Sequence, residues 1–78
     1  MFFVYALKSE IRNYIYVGLT NDLGKRVKRH NDGRERTTKP YRPFRIIYSE
    51  SFETRIEARK KEIFLKSGKG KEFLRNLE

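Results

Sequence analysis

The chain contains no cysteine, and that absence closes several routes at once. No disulfide can stiffen the fold, no cysteine-based zinc site can form, and no thiolate is available as a nucleophile. A cysteine-free chain is also compatible with the reducing cytoplasm, where we expect the protein to work. Long hydrophobic runs are missing as well: nothing approaches the roughly 18 apolar residues of a membrane span, so no membrane partner is expected. The apolar opening Met1–Leu7 lacks a basic flank and a cleavage site, and reads as a strand rather than a signal peptide. No internal repeat, linker or low-complexity stretch interrupts the 78 residues, which are expected to form one domain, 1–78. A chain of this size buries only about 60% of its unfolded surface, so its stability should be modest.

What the sequence has in excess is positive charge. Nineteen Lys and Arg stand against ten Asp and Glu, for a formal net charge of +9. The excess is spread evenly, with nine basic and four acidic residues in 1–39 and ten and six in 40–78. There is thus no detachable basic tail. A folded domain with this balance points first to a polyanionic partner, and nucleic acid is the leading class. An anionic membrane surface is disfavoured, because no helix pairs a basic face with a continuous apolar one.

Two apolar runs carry tyrosines. Residues 2–8 are apolar on both sides, as suits a strand covered on both faces, with Phe3, Tyr5 and Leu7 sharing one of them. Ser9–Asn13 is a polar hairpin loop. Residues 14–19, rich in aromatic and β-branched types, form the second strand, with Tyr14, Tyr16 and Gly18 on one face. Gly18 clears space beside Tyr16 for another group to approach. Thr20, Asn21 and Asp22 offer N-caps for a helix reaching about Asn31, with Gly33 as its stop. At 100° per residue, Arg26 and His30 fall on the same side as the apolar Leu23 and Val27, while Lys25, Lys28 and Arg29 fall opposite. An arginine and a histidine on an inward stripe break a local rule, and such breaks gather at functional sites.

Residues 32–45 form a basic loop in which Arg34, Arg36, Lys39, Arg42 and Arg45 alternate with Thr37, Thr38 and Tyr41, held extended by Pro40 and Pro43. Phe44–Glu50 reads as a third strand. Thr54 and Glu57 make a capping box that opens a helix to about Lys66, with Gly68 as its terminator. A last short helix near Lys71–Leu77 offers Phe73, Leu74 and Leu77 for packing. The fold expected is α+β: a three-stranded antiparallel sheet with flanking helices in the order β-β-α-β-α-α.

Each notable residue also has a plainer role. Tyr5 and Tyr16 can be strand-packing aromatics, and Arg26 can pair with Asp22 one turn before it. His30 suits a helix C-terminus, and Glu62 can bridge Arg59 and Lys66 at helical spacing.

Taken together, these elements resemble the GIY-YIG endonuclease family, and in particular its small members similar to the N-terminal nuclease module of the excision-repair endonuclease. Phe3-Val4-Tyr5 stands where the family has Gly-Ile-Tyr, and Tyr16-Val17-Gly18 matches the second tripeptide. Arg26 occupies the position of the family's catalytic arginine, and His30 lies one helical turn further, where members carry His or Tyr. The helix around Glu57–Glu62 looks like the metal-binding helix, with Glu62 as ligand. Phe3 in place of the first glycine is the one departure.

The resemblance implies a Mg²⁺-dependent endonuclease, using a single Mg²⁺ or Mn²⁺ ion, that hydrolyses or nicks DNA in repair or processing. It implies Tyr5, Tyr16, Arg26, His30 and Glu62 as the catalytic set. The chemistry suits those residue types: a tyrosine whose pKa is lowered by a neighbouring cation can act as base, and an arginine fork can clamp phosphate oxygens. A histidine can relay a proton, and Glu62 can hold one Mg²⁺ that keeps its waters. No second acid pairs with Glu62, which argues against a two-metal site. Lys25, Arg29, Arg34, Arg36, Lys39, Arg42 and Lys66 are the candidate nucleic-acid contacts. A repair protein, or a second copy of the chain for cutting both strands, is the expected protein partner. The alternative function is a non-catalytic nucleic-acid-binding module with the same fold.

Overall fold

The computed structural model describes residues 1–78. Its centre is β1 (Phe2–Ser9), which pairs antiparallel with β2 (Ile15–Thr20) on one side and with β3 (Phe44–Phe52) on the other, giving the sheet order β2-β1-β3. The register with β2 sets Tyr5 opposite Gly18 and Leu7 opposite Tyr16. Helix α1 (Leu23–Asn31) follows β2, and α2 (Arg55–Lys66) and α3 (Gly68–Arg75) follow β3. This is the expected β-β-α-β-α-α order.

The middle of β1 is apolar on both faces because both are covered. Val4 and Ala6 point to one face and join Val17, Ala58, Leu65 and Leu74 in a core roofed by α2 and α3. Tyr5 and Leu7 point to the other, where Phe44 completes a smaller core flanked by Tyr14, Tyr16, Leu23, Val27 and Tyr41. Leu65 and Leu74 are almost completely buried, and each such side chain contributes about 1.5–3 kcal/mol relative to leaving it in water. The pleat therefore sorts the chain into a helix-pair face and an α1 face.

Local signals account for most of the element ends. Asp22 caps α1 by accepting from the Lys25 amide at 3.1 Å, and Gly33 turns the chain away with φ +76°. Thr54 Oγ1 accepts from the Glu57 amide at 3.2 Å, the first half of the expected capping box, and its hydroxyl donates to the Glu57 carboxylate at 2.8 Å in place of the reciprocal bond to the Thr54 amide.

Several element limits differ from the sequence reading. β2 begins at Ile15 instead of Tyr14, and β3 continues two residues past Glu50 to Phe52. The basic loop is not extended throughout, since Lys39–Tyr41 close a short 3₁₀ turn with Pro40 inside it, where the missing N–H costs nothing. Nor does Gly68 stop α2. Ser67 does so, ending α2 and capping α3 at once: its hydroxyl donates to the Phe64 carbonyl and accepts from the Gly70 amide. Helix α3 consequently starts at Gly68 and ends at Arg75, with Leu74 buried, Phe73 set edge-on against Tyr48 with 40% of its surface exposed, and Leu77 42% exposed beyond the helix end. Gly70 allows this tight corner, because a Cβ there would overlap the Phe64 carbonyl oxygen and the Leu65 backbone.

Candidate active site

The α1 face of the sheet gathers four of the residues singled out from sequence. Tyr5 is fully buried on the central strand. Its phenol points at the neighbouring strand, and Gly18 makes room for it: a Cβ at Gly18 would lie 2.5 Å from the Tyr5 hydroxyl and 2.9 Å from the Tyr16 ring. The group that Gly18 admits is therefore Tyr5 itself. We expect Gly18→Ala to displace the phenol and destabilise the fold by about 1–3 kcal/mol, as overpacked cores do, readable in urea unfolding.

His30 closes the far side. It is 1% exposed, and both ring nitrogens are engaged: Nε2 lies 3.1 Å from the Tyr5 hydroxyl and Nδ1 2.8 Å from Oγ1 of the buried Thr38. The Thr38 hydroxyl donates to the Glu35 carbonyl at 3.4 Å, so Oγ1 is left to accept. That assigns the proton to Nδ1 and makes Nε2 the acceptor of the Tyr5 hydroxyl proton. Tyr16 packs against both, its ring 6.1 Å from Tyr5 and 4.7 Å from His30, and stays partly exposed at the mouth.

Arg26 lies beside the two phenols. Its Nε is buried without a hydrogen-bond partner and faces Glu35 at 3.7 Å. Glu35 is bound more closely to Arg29, at 2.9 Å. The expected alternative pairing of Arg26 with Asp22 does not form, because Asp22 is occupied as the helix cap. An arginine with an unsatisfied inward donor is suited to take a further anionic oxygen.

The electrostatics distinguish the two tyrosines. Burial, reinforced by Tyr16, pushes the Tyr5 phenol well above the usual tyrosine range despite the opposing pull of Arg26, so Tyr5 stays protonated at neutral pH. Burial lowers the Arg26 pKa, but Tyr5, Glu35 and Tyr16 more than offset this and leave it raised. Burial also holds His30 below its ordinary value of 6.5, keeping the imidazole neutral. Glu35 is held below the usual carboxylate range, first by its hydrogen bond to Arg29.

A pH dependence follows from His30. Below about 6.5 the unfolded chain takes up a proton that the native imidazole resists, so the unfolded state binds more protons and stability falls on acidification. We expect thermal stability to decline as pH drops from about 6.5 toward the native His30 value. His30→Gln should remove that segment while sparing the separate loss at carboxylate pH from Glu35 and Asp32, whose pKa values are both lowered. Melting curves across pH check this, and ¹⁵N shifts of His30 check the Nδ1–H tautomer.

Glu62 does not join this group. It sits on α2 between Ala58 and Leu65, which pack against the opposite face of the sheet. Its oxygens are taken by Arg59 at 2.8 Å and Lys66 at 3.1 Å, the plainer arrangement that helical spacing allows. No hydrogen bond or ion pair links it to Tyr5, Tyr16, Arg26 or His30. A route between the two nevertheless exists around β2, the edge strand, where Tyr16 and Lys66 line one groove.

The candidate nucleic-acid residues divide in the same way. Lys25, Arg29, Arg34, Arg36, Lys39 and Arg42 lie on α1 and the loop after it, whereas Lys66 is exposed on α2. Arg29 and Lys66 are held by Glu35 and Glu62, and the other five have no acidic partner within ion-pair distance. Glu35 and Thr38 are site residues that sequence reasoning missed. Each reaches the cluster through the fold of a loop, and their only signal was an isolated acid and a threonine pair within a basic run.

A central strand and its hairpin partner that carry one tyrosine each beside an arginine-bearing helix define a small α+β nuclease-type fold. Residues 1–76 match the GIY-YIG catalytic domain, and the chain belongs to the GIY-YIG family. It is 46% identical over 65 residues to the UPF0213 protein YazA of Bacillus subtilis, an alignment covering 82% of this chain and 65% of that protein. It is 39% identical over 67 residues to the UPF0213 protein CPE1444 of Clostridium perfringens, covering 85% of this chain and 71% of the other. The solution NMR structure of the UPF0213 protein BH0048 from Bacillus halodurans superposes with a TM-score of 0.58 at 32% identity, over 100% of this chain and 86% of that one. The chain thus spans just under two thirds of YazA.

Nucleases of this family typically use a divalent metal, and Glu62 is the residue the sequence resemblance offers to hold it. No three His, Cys, Asp or Glu side chains converge into a cage. Mg²⁺ does not require one, since it keeps several waters and takes one or two carboxylates. Glu62 supplies one such carboxylate; its side chain is 9% exposed and its oxygens are held by Arg59 and Lys66, whose own side chains are 64% and 54% exposed, so an ion would have to displace those cations.

Proposed function

We propose that residues 1–78 act as one nuclease-like domain that hydrolyses DNA phosphodiester bonds endonucleolytically with the help of Mg²⁺, in DNA repair or processing in the cytoplasm. The observation that carries this reading is the convergence of two phenols, a neutral histidine and an arginine with an unsatisfied buried donor. It is supported by membership of a nuclease family. No helix is long and apolar enough to cross a membrane.

In this reading Tyr16 is the base. Tyr5 is too deeply buried and too firmly protonated for that role, and its hydroxyl is committed to His30. Tyr16 is partly exposed at the mouth of the cluster, where a water and a phosphate can reach it, and Arg26 lies beside it. The Tyr16 phenol first gives its own proton to solvent, and its oxygen then takes a proton from the attacking water as that water's oxygen bonds to phosphorus. The bond from phosphorus to the departing sugar oxygen then breaks, and that oxygen takes a proton from solvent. Arg26 neutralises charge growing on the non-bridging oxygens, the interaction that acts most strongly in the transition state. Tyr5, His30 and Thr38 keep the pocket rigid and its protons placed. Glu62 would hold the ion, which would supply positive charge to the phosphate. Cutting both strands of a duplex would need a second copy of the chain or a second event, and a repair protein is the other proposed partner.

Plasmid nicking in Mg²⁺ or EDTA, by the wild type, Glu62→Ala and Arg26→Ala, tests the proposal. We expect the wild type alone to nick, and only with Mg²⁺. Equal nicking by all three proteins would reveal a contaminant and end the assignment. One observation favours a second reading, a nucleic-acid-binding module without catalysis: both Glu62 oxygens are engaged by cations on the far face of the sheet. That reading predicts salt-sensitive binding that survives Glu62→Ala, with no cleavage by any variant.

A further inference from the structure

A groove of about 700 Å³ runs along the outer edge of β2, between that strand and helices α2 and α3, and adjoins the tyrosine cluster. Its walls combine the aromatic and aliphatic side chains of Tyr14, Tyr16 and Leu74 with the cations Lys66, Lys71 and Arg75. Lys71 and Arg75 stand four residues apart on α3, the spacing at which like charges repel. Neither has an acidic partner within ion-pair distance, while Glu78, which also lines the groove, is drawn to Lys8 at 3.9 Å. The helix C-terminus favours Arg75 where it is and Glu62 holds Lys66, but neither explains Lys71 on the same wall. Two uncompensated charges facing an apolar cleft are stabilised when an anion enters it.

From this we infer that the β2-edge groove seats a short unpaired segment of nucleic acid next to the bond to be cut, with Lys71 and Arg75 on its phosphates. The inference rests on the nuclease reading above and deepens it by naming the form of the substrate. A groove of this size matches a site for one small ligand, room for a stretch of a single strand and not for the whole section of a duplex. Aromatic walls flanked by cations are how proteins hold unpaired strands, since the bases of such a strand are free to lie on apolar surface while its phosphates reach the charges. Continuity with the cluster is direct, because Tyr16 belongs to both. DNA and RNA share this chemistry, so the test carries both.

The experiment is fluorescence anisotropy in EDTA with a short labelled strand, as DNA, as RNA and as the corresponding blunt duplex, over a series of salt concentrations. Lys71→Glu/Arg75→Glu is compared with Arg55→Glu/Lys60→Glu, the same charge change at exposed sites on α2 away from the groove. We expect the groove variant to weaken single-strand binding at least about tenfold and to flatten log Kd against log salt by about 1.4, two phosphate contacts' worth for a single strand. The control should change affinity less than about threefold and leave more of the slope, as befits charge acting at a distance. Lys71→Ala/Arg75→Ala should repeat the loss in smaller form, with circular dichroism confirming the fold of each protein. Equal losses in both double-glutamate variants, or no loss in either, would overturn the groove. Duplex bound as tightly as single strand by the wild type would overturn the unpaired form. A wild type that binds no nucleic acid would bring down the nuclease reading, and this inference with it.

Discussion

Tyr16→Phe is expected to slow DNA cleavage by about 10²–10⁴-fold, the usual worth of a general base, with little effect on stability. The hydroxyl removed belongs to a partly exposed side chain, and the buried Tyr5–His30 hydrogen bond does not depend on it. Tyr5→Phe should behave differently. It leaves the buried Nε2 of His30 without its partner, and an unsatisfied buried group costs about 1–3 kcal/mol. We therefore expect Tyr5→Phe to lower the melting temperature clearly while slowing cleavage less than Tyr16→Phe. The two variants, followed by denaturant unfolding and by single-turnover cleavage of a labelled oligonucleotide, separate the roles. If Tyr5→Phe slows cleavage more than Tyr16→Phe at unchanged stability, the assignment of the base is reversed.

The second large effect is expected at Arg26. Removing one positioned donor to a developing oxyanion typically costs about 10²–10³-fold in turnover, and Arg26→Ala should lose at least that. Arg26→Lys keeps the charge but not the planar fork, and it should recover only a small part. The loss should appear mainly in the rate at saturating DNA and less in affinity, since many other cations remain to hold the backbone. Arg26→Ala also frees Glu35, but Arg29 still binds that carboxylate at 2.9 Å, so the loop closing over His30 should hold. A loss confined to DNA affinity would mean that Arg26 is one more backbone contact.

These expectations draw on features that were legible to different degrees. The tyrosine hairpin, the Thr54–Glu57 box and the Gly33 stop are set by residues within a few positions of one another, and the sequence displays such signals directly. So is the inward stripe of α1, which places His30 in the interior and Arg26 at its edge. Ser67 escaped notice because a glycine one position later gave a stronger conventional signal, whereas a serine hydroxyl can close one helix and open the next. Thr38 and Glu35 were hidden for a different reason: they act on His30 and Arg26 through loop closure, which leaves no periodicity to read.

Glu62 shows where pattern stops. It shares the helical stripe of Ala58 and Leu65, and its side chain is buried with theirs. A central strand that is apolar on both sides cannot say which face that stripe will cover. The structure resolves the question against direct contact: the stripe of Glu62 packs with Val4, Ala6 and Val17, and the phenols occupy the other side. Both approach the β2 edge, Tyr16 directly and Glu62 through Lys66. For the proposed nuclease, that edge is where the two halves of the site have to meet a single phosphate.

An ion held by Glu62 and the Tyr16 hydroxyl are thus proposed to serve one site across that edge. Paramagnetic broadening of backbone amides by Mn²⁺, in ¹⁵N-labelled protein, tests this most directly. We expect broadening centred on Glu62 that extends to Tyr16, Val17 and Gly18 and disappears in Glu62→Ala. Broadening that spares Tyr16–Gly18, or that persists unchanged in Glu62→Ala, would contradict it.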